Sequence, residues 1–192
     1  MGVLPHGRLR AATLLSRVAR GSGAAVAALG LACVVALGPT LPNAAAQARA
    51  TGQDTGLAIP RFVSLRADRV NLRAGPGLRY PIEWVFKRRG LPVAVIKEFN
   101  AWRRVRASDG TTGWVHAAML TGKRTARVVG ESRWALLADP HTNAATVAIV
   151  EPGVVGELDG CDGAFCRVDL GAYSGWLPRN RLYGVMPGES DG

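Results

Sequence analysis

The 192-residue chain carries 24 basic and 14 acidic side chains, a formal net charge of +10, with only three cysteines and three histidines. Its carboxylates are scattered without an acid/base pair and its histidines have no partner motif, which leaves no recognisable catalytic constellation. The basic excess asks for anionic partners.

The first 48 residues hold Arg8, Arg10, Arg17 and Arg20 and no acid, then an uncharged apolar run from Ala24 to Leu37, then Pro39, Pro42 and small residues ending Ala46-Gln47-Ala48. This is the layout of a cleaved signal peptide over residues 1–48. The run of 14 residues falls short of the roughly 20 needed to span a bilayer, so no stable membrane anchor is expected after cleavage, and export to the periplasm or beyond is. Cys33 is read as a small apolar residue of the removed segment; Gly30, three residues before it, stands where a lipoprotein signal would carry an aliphatic residue. Residues 49–60, polar and glycine-containing, read as a flexible tether.

From Asn71 to Trp176 one pattern of about 60 residues is stated twice. The first copy runs Asn71-Leu72-Arg73-Ala74-Gly75-Pro76-Gly77, Gly90-Leu91-Pro92-Val93, Trp102-Arg103-Arg104-Val105 and Gly113-Trp114-Val115. The second runs Ala135-Leu136-Leu137-Ala138-Asp139-Pro140, Gly153-Val154-Val155, Phe165-Cys166-Arg167-Val168 and Gly175-Trp176-Leu177. The aromatic lies 12 residues after the glycine anchor in both copies. The segments are short, β-branched or aromatic, and separated by Gly, Pro or Asn-Ala turns, so they predict strands. Units this small suit a five- or six-stranded barrel, one over 61–122 and one over 124–184. A helical turn is possible over Pro81 to Val85 or over His116 to Leu120. Each unit alone would be marginal, burying only about 60% of its unfolded surface, so support from its neighbour or from a covalent staple is expected. Residues 185–192 read as a disordered tail.

Charge is unequal between the copies: residues 61–122 hold 12 basic and 4 acidic side chains, net +8, and residues 124–184 hold 6 and 7, net −1. The field around the first copy would gather anions and weaken with salt. An exported chain rarely meets nucleic acid, so no nucleic acid is expected and anionic envelope polymers or acidic proteins rank higher.

Cys161 and Cys166 enclose Asp162-Gly163-Ala164-Phe165. If Gly163 and Ala164 are the centre of a type II′ turn, the cysteines face each other at the next pair, where Cα atoms approach to roughly 4.5 Å. A disulfide follows in an oxidising compartment. Zinc would need two more ligands, and only His116 and His141 remain; no metal or cofactor is expected. The same registration places Glu98 and Arg103 of the first copy at the cysteine positions, and an ion pair there is hypothesised to stand in for the covalent bond.

The run Val70-Asn71-Leu72-Arg73-Ala74-Gly75-Pro76-Gly77, followed by Gly90, Trp102, Val105 and Gly113-Trp114-Val115, resembles a bacterial SH3-type domain, and the chain from 61 to 184 is similar to exported tandem SH3-like proteins of Gram-negative bacteria. The second copy departs at its opening, where Asn and Arg become Ala135 and Leu137. The resemblance implies an all-β chain of two tandem SH3-like β-barrels, non-catalytic, binding peptidoglycan stem peptides or envelope proteins. The alternative is an envelope scaffold or adaptor without cell-wall affinity.

Candidate ligand residues follow. Alternation puts Val105 with Arg103 on one face of a strand and Trp102, Arg104 and Arg106 on the other. Either Val105 is core and Trp102 lies at the surface, suited to stacking and cation-π contact, or a bulge turns Trp102 inward. Tyr80, Trp84 and Phe86 fall in the segment matching the long first loop of the SH3 type, where peptide-binding aromatics gather. Lys87, Arg88 and Arg89 form a basic run read as either a solvated loop tip or an anion dock. Trp114 and Trp176, each following glycine and preceding an aliphatic residue, are read as structural ahead of ligand-binding.

Overall fold

The computed structural model describes residues 50–189; the leader with its cleavage point, and residues 190–192, lie outside the described residues. The chain is all-β. Barrel 1 is built from β1 (Arg61–Leu65), β2 (Val70–Arg73), β3 (Ile82–Phe86), β4 (Pro92–Phe99), β5 (Trp102–Arg106), β6 (Thr112–His116) and β7 (Leu120–Thr121), with a 3-10 turn at Ala117–Met119. Barrel 2 repeats them as β8 (Thr125–Val128), β9 (Trp134–Leu137), β10 (Thr146–Val150), β11 (Val155–Asp162), β12 (Phe165–Asp169), β13 (Ser174–Pro178) and β14 (Leu182–Tyr183), with a 3-10 turn at Arg179–Arg181.

The strand order is β3-β2-β6-β5-β4-β1-β7 in one sheet and β10-β9-β13-β12-β11-β8-β14 in the other, the same topology twice. Even the irregularities repeat. A bulge interrupts β4 between Val95 and Lys97 and β11 between Leu158 and Gly160. Seven strands form where residue patterns suggest five or six, because β7 and β14 are two-residue strands that no β-branched run announces. Pro81 to Val85, one of the two possible helical turns, enters β3 instead; the other is the Ala117–Met119 turn.

Period-2 alternation fills each interior. Leu72, Val93, Val95, Val105 and Val115 centre the first core, and Leu136, Val168, Leu177, Cys161 and Cys166 the second. The repeated glycine anchors have a backbone reason: Gly90 and Gly153 sit at φ +75° and +90° at matching turns, donating to Leu65 O and Val128 O, and a residue with a Cβ is disfavoured there.

Two segments differ from their sequence reading. The tether is docked from Ala50 onward: Thr51 bridges Ala58, Ile59 N donates to Ala50 O, and Asp54 N and Thr55 N each donate to Glu98 Oε2 at 3.0 Å. A buried carboxylate with free lone pairs captures a polar segment that composition alone marks as loose. At the other end Val185 packs on the second core and Glu189 pairs with Arg124 at 2.6 Å, so the tail is ordered through residue 189.

The barrels touch through a short junction. Ser64 Oγ lies 2.6 Å from Lys123 O and 2.7 Å from Thr125 Oγ1, which reaches Gly90 O at 2.7 Å. With one proton on each hydroxyl, two of these three close contacts are hydrogen bonds at any moment. The Phe62 ring meets Tyr183 edge-on with centroids 5.0 Å apart, and Tyr183 OH donates to Arg106 O at 2.6 Å.

Candidate functional site

On β5 the two faces separate cleanly. Val105 is fully buried and Arg103 nearly so, while Arg104 and Arg106 are exposed and Trp102 is half-buried on the outer side. The bulge alternative for Trp102 is thereby settled in favour of the surface. Strand register then builds the outer face from neighbours far apart in sequence. Arg73, Trp114, Arg104 and Lys97 pair across β2, β6, β5 and β4 in one row; His116, Trp102 and Phe99 pair across β6, β5 and β4 in the next.

One end of this face forms a shallow groove of about 280 Å³ lined by Trp102, His116, Met119, Leu78, Arg69, Asn71 and Arg73. Trp102 and His116 meet edge-on with centroids 5.2 Å apart. The His116 imidazole is oriented by its own loop, since Nδ1 accepts from Ala118 N at 3.2 Å and caps the 3-10 turn that carries Met119. Arg73 holds the far wall: its Nη1 donates to Leu78 O at 3.1 Å and Tyr80 O at 2.7 Å, fixing the loop between β2 and β3. That loop presents Leu78 with 78% of its surface exposed. The result is a mainly apolar groove whose lining includes the exposed Arg69. Among the described residues no carboxylate forms an ion pair with Lys97, Arg104, Arg106 or Arg69.

The remaining sequence candidates go elsewhere. Phe86 belongs to the hydrophobic core, where it pairs with buried Val70 at the end of β3, and it also lines the cleft that Trp84 enters. Tyr80 lies half-buried with its ring against Gly75, where an added Cβ would come within 2.5 Å of it; it closes the loop and does not wall the groove. Trp84, 53% exposed on the edge strand β3, lines a different cleft of about 710 Å³ with Ile82, Lys87, Arg88 and, from barrel 2, Arg127 and Gly153. Of the basic run, Arg88 donates to Gly153 O at 3.0 Å and Arg89 pairs with Asp68 at 3.3 Å. Two of the three cations therefore have partners within the chain. The structure thus brings Trp102, Arg104 and Arg106 to one face and leaves Tyr80, Trp84 and Phe86 off it.

Sequence reasoning missed Arg69, Leu78, His116 and Met119, and assigned Trp114 to structure. Alternation on β6, with Gly113 and Val115 inward, was the available signal for Trp114 and His116. Nothing in the local pattern marks Leu78 and Met119, which reach the groove through a loop and a 3-10 turn.

The hairpin tips carry the two closures. Cys161 and Cys166 are directly paired and bonded, with Cα atoms 3.9 Å apart, closer than the roughly 4.5 Å of an ordinary facing pair. Gly163 at φ +52° with Ala164 at negative φ fits the type II′ turn. In barrel 1 Glu98 and Arg103 occupy the same paired position, both inside, with Arg103 Nε 3.5 Å from Glu98 Oε1. The hypothesised ion pair is present, and it is only part of a larger assembly. Arg61 Nη2 lies 2.6 Å from the same oxygen, and Thr55 Oγ1 donates to it at 2.8 Å. Burial alone would raise the Glu98 pKa; the hydrogen bonds from Arg61, Thr55 and Asp54 outweigh it and hold the carboxyl at about 2.

Among the described residues no group of three or more His, Cys, Asp or Glu is placed to hold a metal, and no helix is long and apolar enough to cross a membrane. His141 lies in the loop between β9 and β10, away from the His116 groove residues.

The family model for the bacterial SH3 domain matches the chain twice, over residues 66–122 and 130–184. No curated protein matches. Among solved structures the chain is similar to NlpC2 from Trichomonas vaginalis, at 14% identity and TM-score 0.31 over 67% of this chain and 51% of that one. It is also similar to NlpC1 from Trichomonas vaginalis, at 15% identity and TM-score 0.30 over 64% and 45%. The chain spans about half the length of either.

Proposed function

The chain belongs to the bacterial SH3 domain family, and from that premise we propose that it is an exported, non-catalytic binding module that recognises peptidoglycan stem peptides or carboxylate-bearing protein segments through barrel 1. The observation that carries the reading is the groove of Trp102, Leu78 and Met119 whose lining includes Arg69. An extended peptide can lay apolar side chains in that groove and set a carboxylate against the guanidinium, a charge-assisted contact. Family membership supports the choice of cell wall, since bacterial SH3 domains typically bind it. The leader-like N-terminus supports export. The net charge of +8 over residues 61–122 supports an anionic partner.

Co-sedimentation with purified sacculi tests it. The mature protein should pellet at low salt and less at high salt, and Trp102→Ala should abolish pelleting without unfolding the protein. An intact protein that stays soluble with sacculi at low salt would favour the adaptor reading, in which the same groove holds a protein segment.

A further inference from the structure

Beyond the groove, the outer sheet face of barrel 1 continues as a strip of cations and aromatic rings with no acid among its paired positions. Register sets Lys97 beside Arg104, Arg104 beside Trp114, and Phe99 beside Trp102. Lys97 and Arg104 are exposed and Trp114 is half-buried between Arg73 and Arg104.

The second barrel supplies an internal control. At the positions of Lys97, Phe99, Arg106 and His116 it carries Gly160, Asp162, Asp169 and Pro178, keeping only Arg167 and Trp176 for Arg104 and Trp114. An identical topology therefore forms with a single cation, Arg167, that pairs with Asp159, and with Asp162 and Asp169 on the same face. Folding does not require the positive strip of barrel 1, and like charges placed side by side on neighbouring strands are destabilising by themselves. A function other than folding is the remaining reason for them.

We propose that this strip binds an acidic polysaccharide, a linear polymer whose sugar carboxylates meet Lys97, Arg104 and Arg106 while a ring lies on Trp114. The face is long, open and strand-built, which suits a polymer and not a small molecule. Its charge is complementary to a polyanion. Aromatic faces give apolar contact to ring C–H groups where lysine or arginine alone would give only charge. The inference rests on the reading of barrel 1 as the ligand face of an exported protein, for which nucleic acid is not the expected polyanion.

Binding of the mature protein to polygalacturonate, to neutral dextran and to an oligothymidylate is the test, at low and high salt. Polygalacturonate should bind at low salt, dextran should not, and oligothymidylate should bind more weakly. Lys97→Glu with Arg104→Glu should weaken polygalacturonate at least tenfold, whereas Arg167→Glu, the matching change on barrel 2, should alter it less than twofold. The Lys97/Arg104 variant should still bind a sugar-free stem peptide, which Trp102→Ala should lose. If polygalacturonate does not bind, if the reversed charges leave its affinity unchanged, or if oligothymidylate binds more tightly, the polysaccharide strip is overturned. If the stem peptide never binds while the polymer responds as stated, the groove reading fails and the strip stands.

Discussion

The tips of the β4–β5 and β11–β12 hairpins close the same backbone position by different chemistry, a buried carboxylate network in barrel 1 and a disulfide in barrel 2. The cysteines use up each other's bonding capacity. Glu98 instead offers two oxygens: Oε1 faces Arg61, Arg103 and the Thr55 hydroxyl, while Oε2 accepts from Asp54 N and Thr55 N. A covalent closure pins two residues, while an ionic one recruits a third segment. Termini follow the same logic. Arg61 and Arg124 are equivalent by register, and each anchors the nearer chain end, one through Glu98 to the N-terminal segment and the other to Glu189.

Removing the carboxylate is the strongest way to break the comparison. Glu98→Ala deprives buried Arg103, half-buried Arg61 and two backbone N–H groups of their shared carboxylate, and loss of one member of a buried charge network costs about 3–5 kcal/mol. Thermal or denaturant unfolding should show that loss, and proteolysis should reach residues 50–58 first. Unchanged stability would mean that the network is incidental.

Acid titrates the same difference. Glu98 has a folded pKa of about 2 against 4.5 for the free side chain, so its contribution is complete above pH 4.5 and is lost as pH falls through about 2. The shift corresponds to about 3 kcal/mol. Barrel 1 should therefore lose stability over that window, in excess of any loss in Glu98→Gln, for which the step should vanish.

Reduction addresses the other hairpin. A loop this short gives about 2 kcal/mol, so Cys161→Ser with Cys166→Ser should lower stability by less than Glu98→Ala does. The exchange Glu98→Cys with Arg103→Cys sharpens the point. It should form a disulfide and hold the hairpin, yet leave residues 50–58 sensitive to protease, because a disulfide offers the strap no acceptor.

How far the residues announced this follows from what each signal measures. The repeat, the strand class and the facing cysteine pair depend on alternation and turn chemistry, which are local. The registration that set Glu98 and Arg103 opposite each other came from the same source. The docking of Ala50 to Ile59 onto Glu98 depends on a contact 44 residues away in sequence, and a polar, glycine-containing stretch looks the same free or bound. Trp102 was placed only as far as two alternatives, since alternation fixes which residues share a face and not which face is core. Trp84 and Phe86 were placed in a loop by resemblance; they lie on the edge strand β3, where Phe86 joins the core while lining the same cleft as Trp84.

The smallest expected effect lies where the barrels meet. β7 ends in Thr121 and β14 in Tyr183 at the equivalent position, so only the second copy sends a ring across the junction to Phe62 and a hydroxyl to Arg106 O. Tyr183→Phe removes the hydroxyl alone, and one such bond contributes about 1 kcal/mol or less at a partly exposed site. Tyr183→Thr restores the residue of the first copy and removes the edge-on ring contact as well, a further loss of about 0.5–1.5 kcal/mol. If the junction couples the barrels, the phenylalanine variant should unfold in one transition slightly below wild type, and the threonine variant should begin to separate into two. Retention of one transition in both would place the coupling in the buried Ser64 and Thr125 hydroxyl chain, which neither change touches.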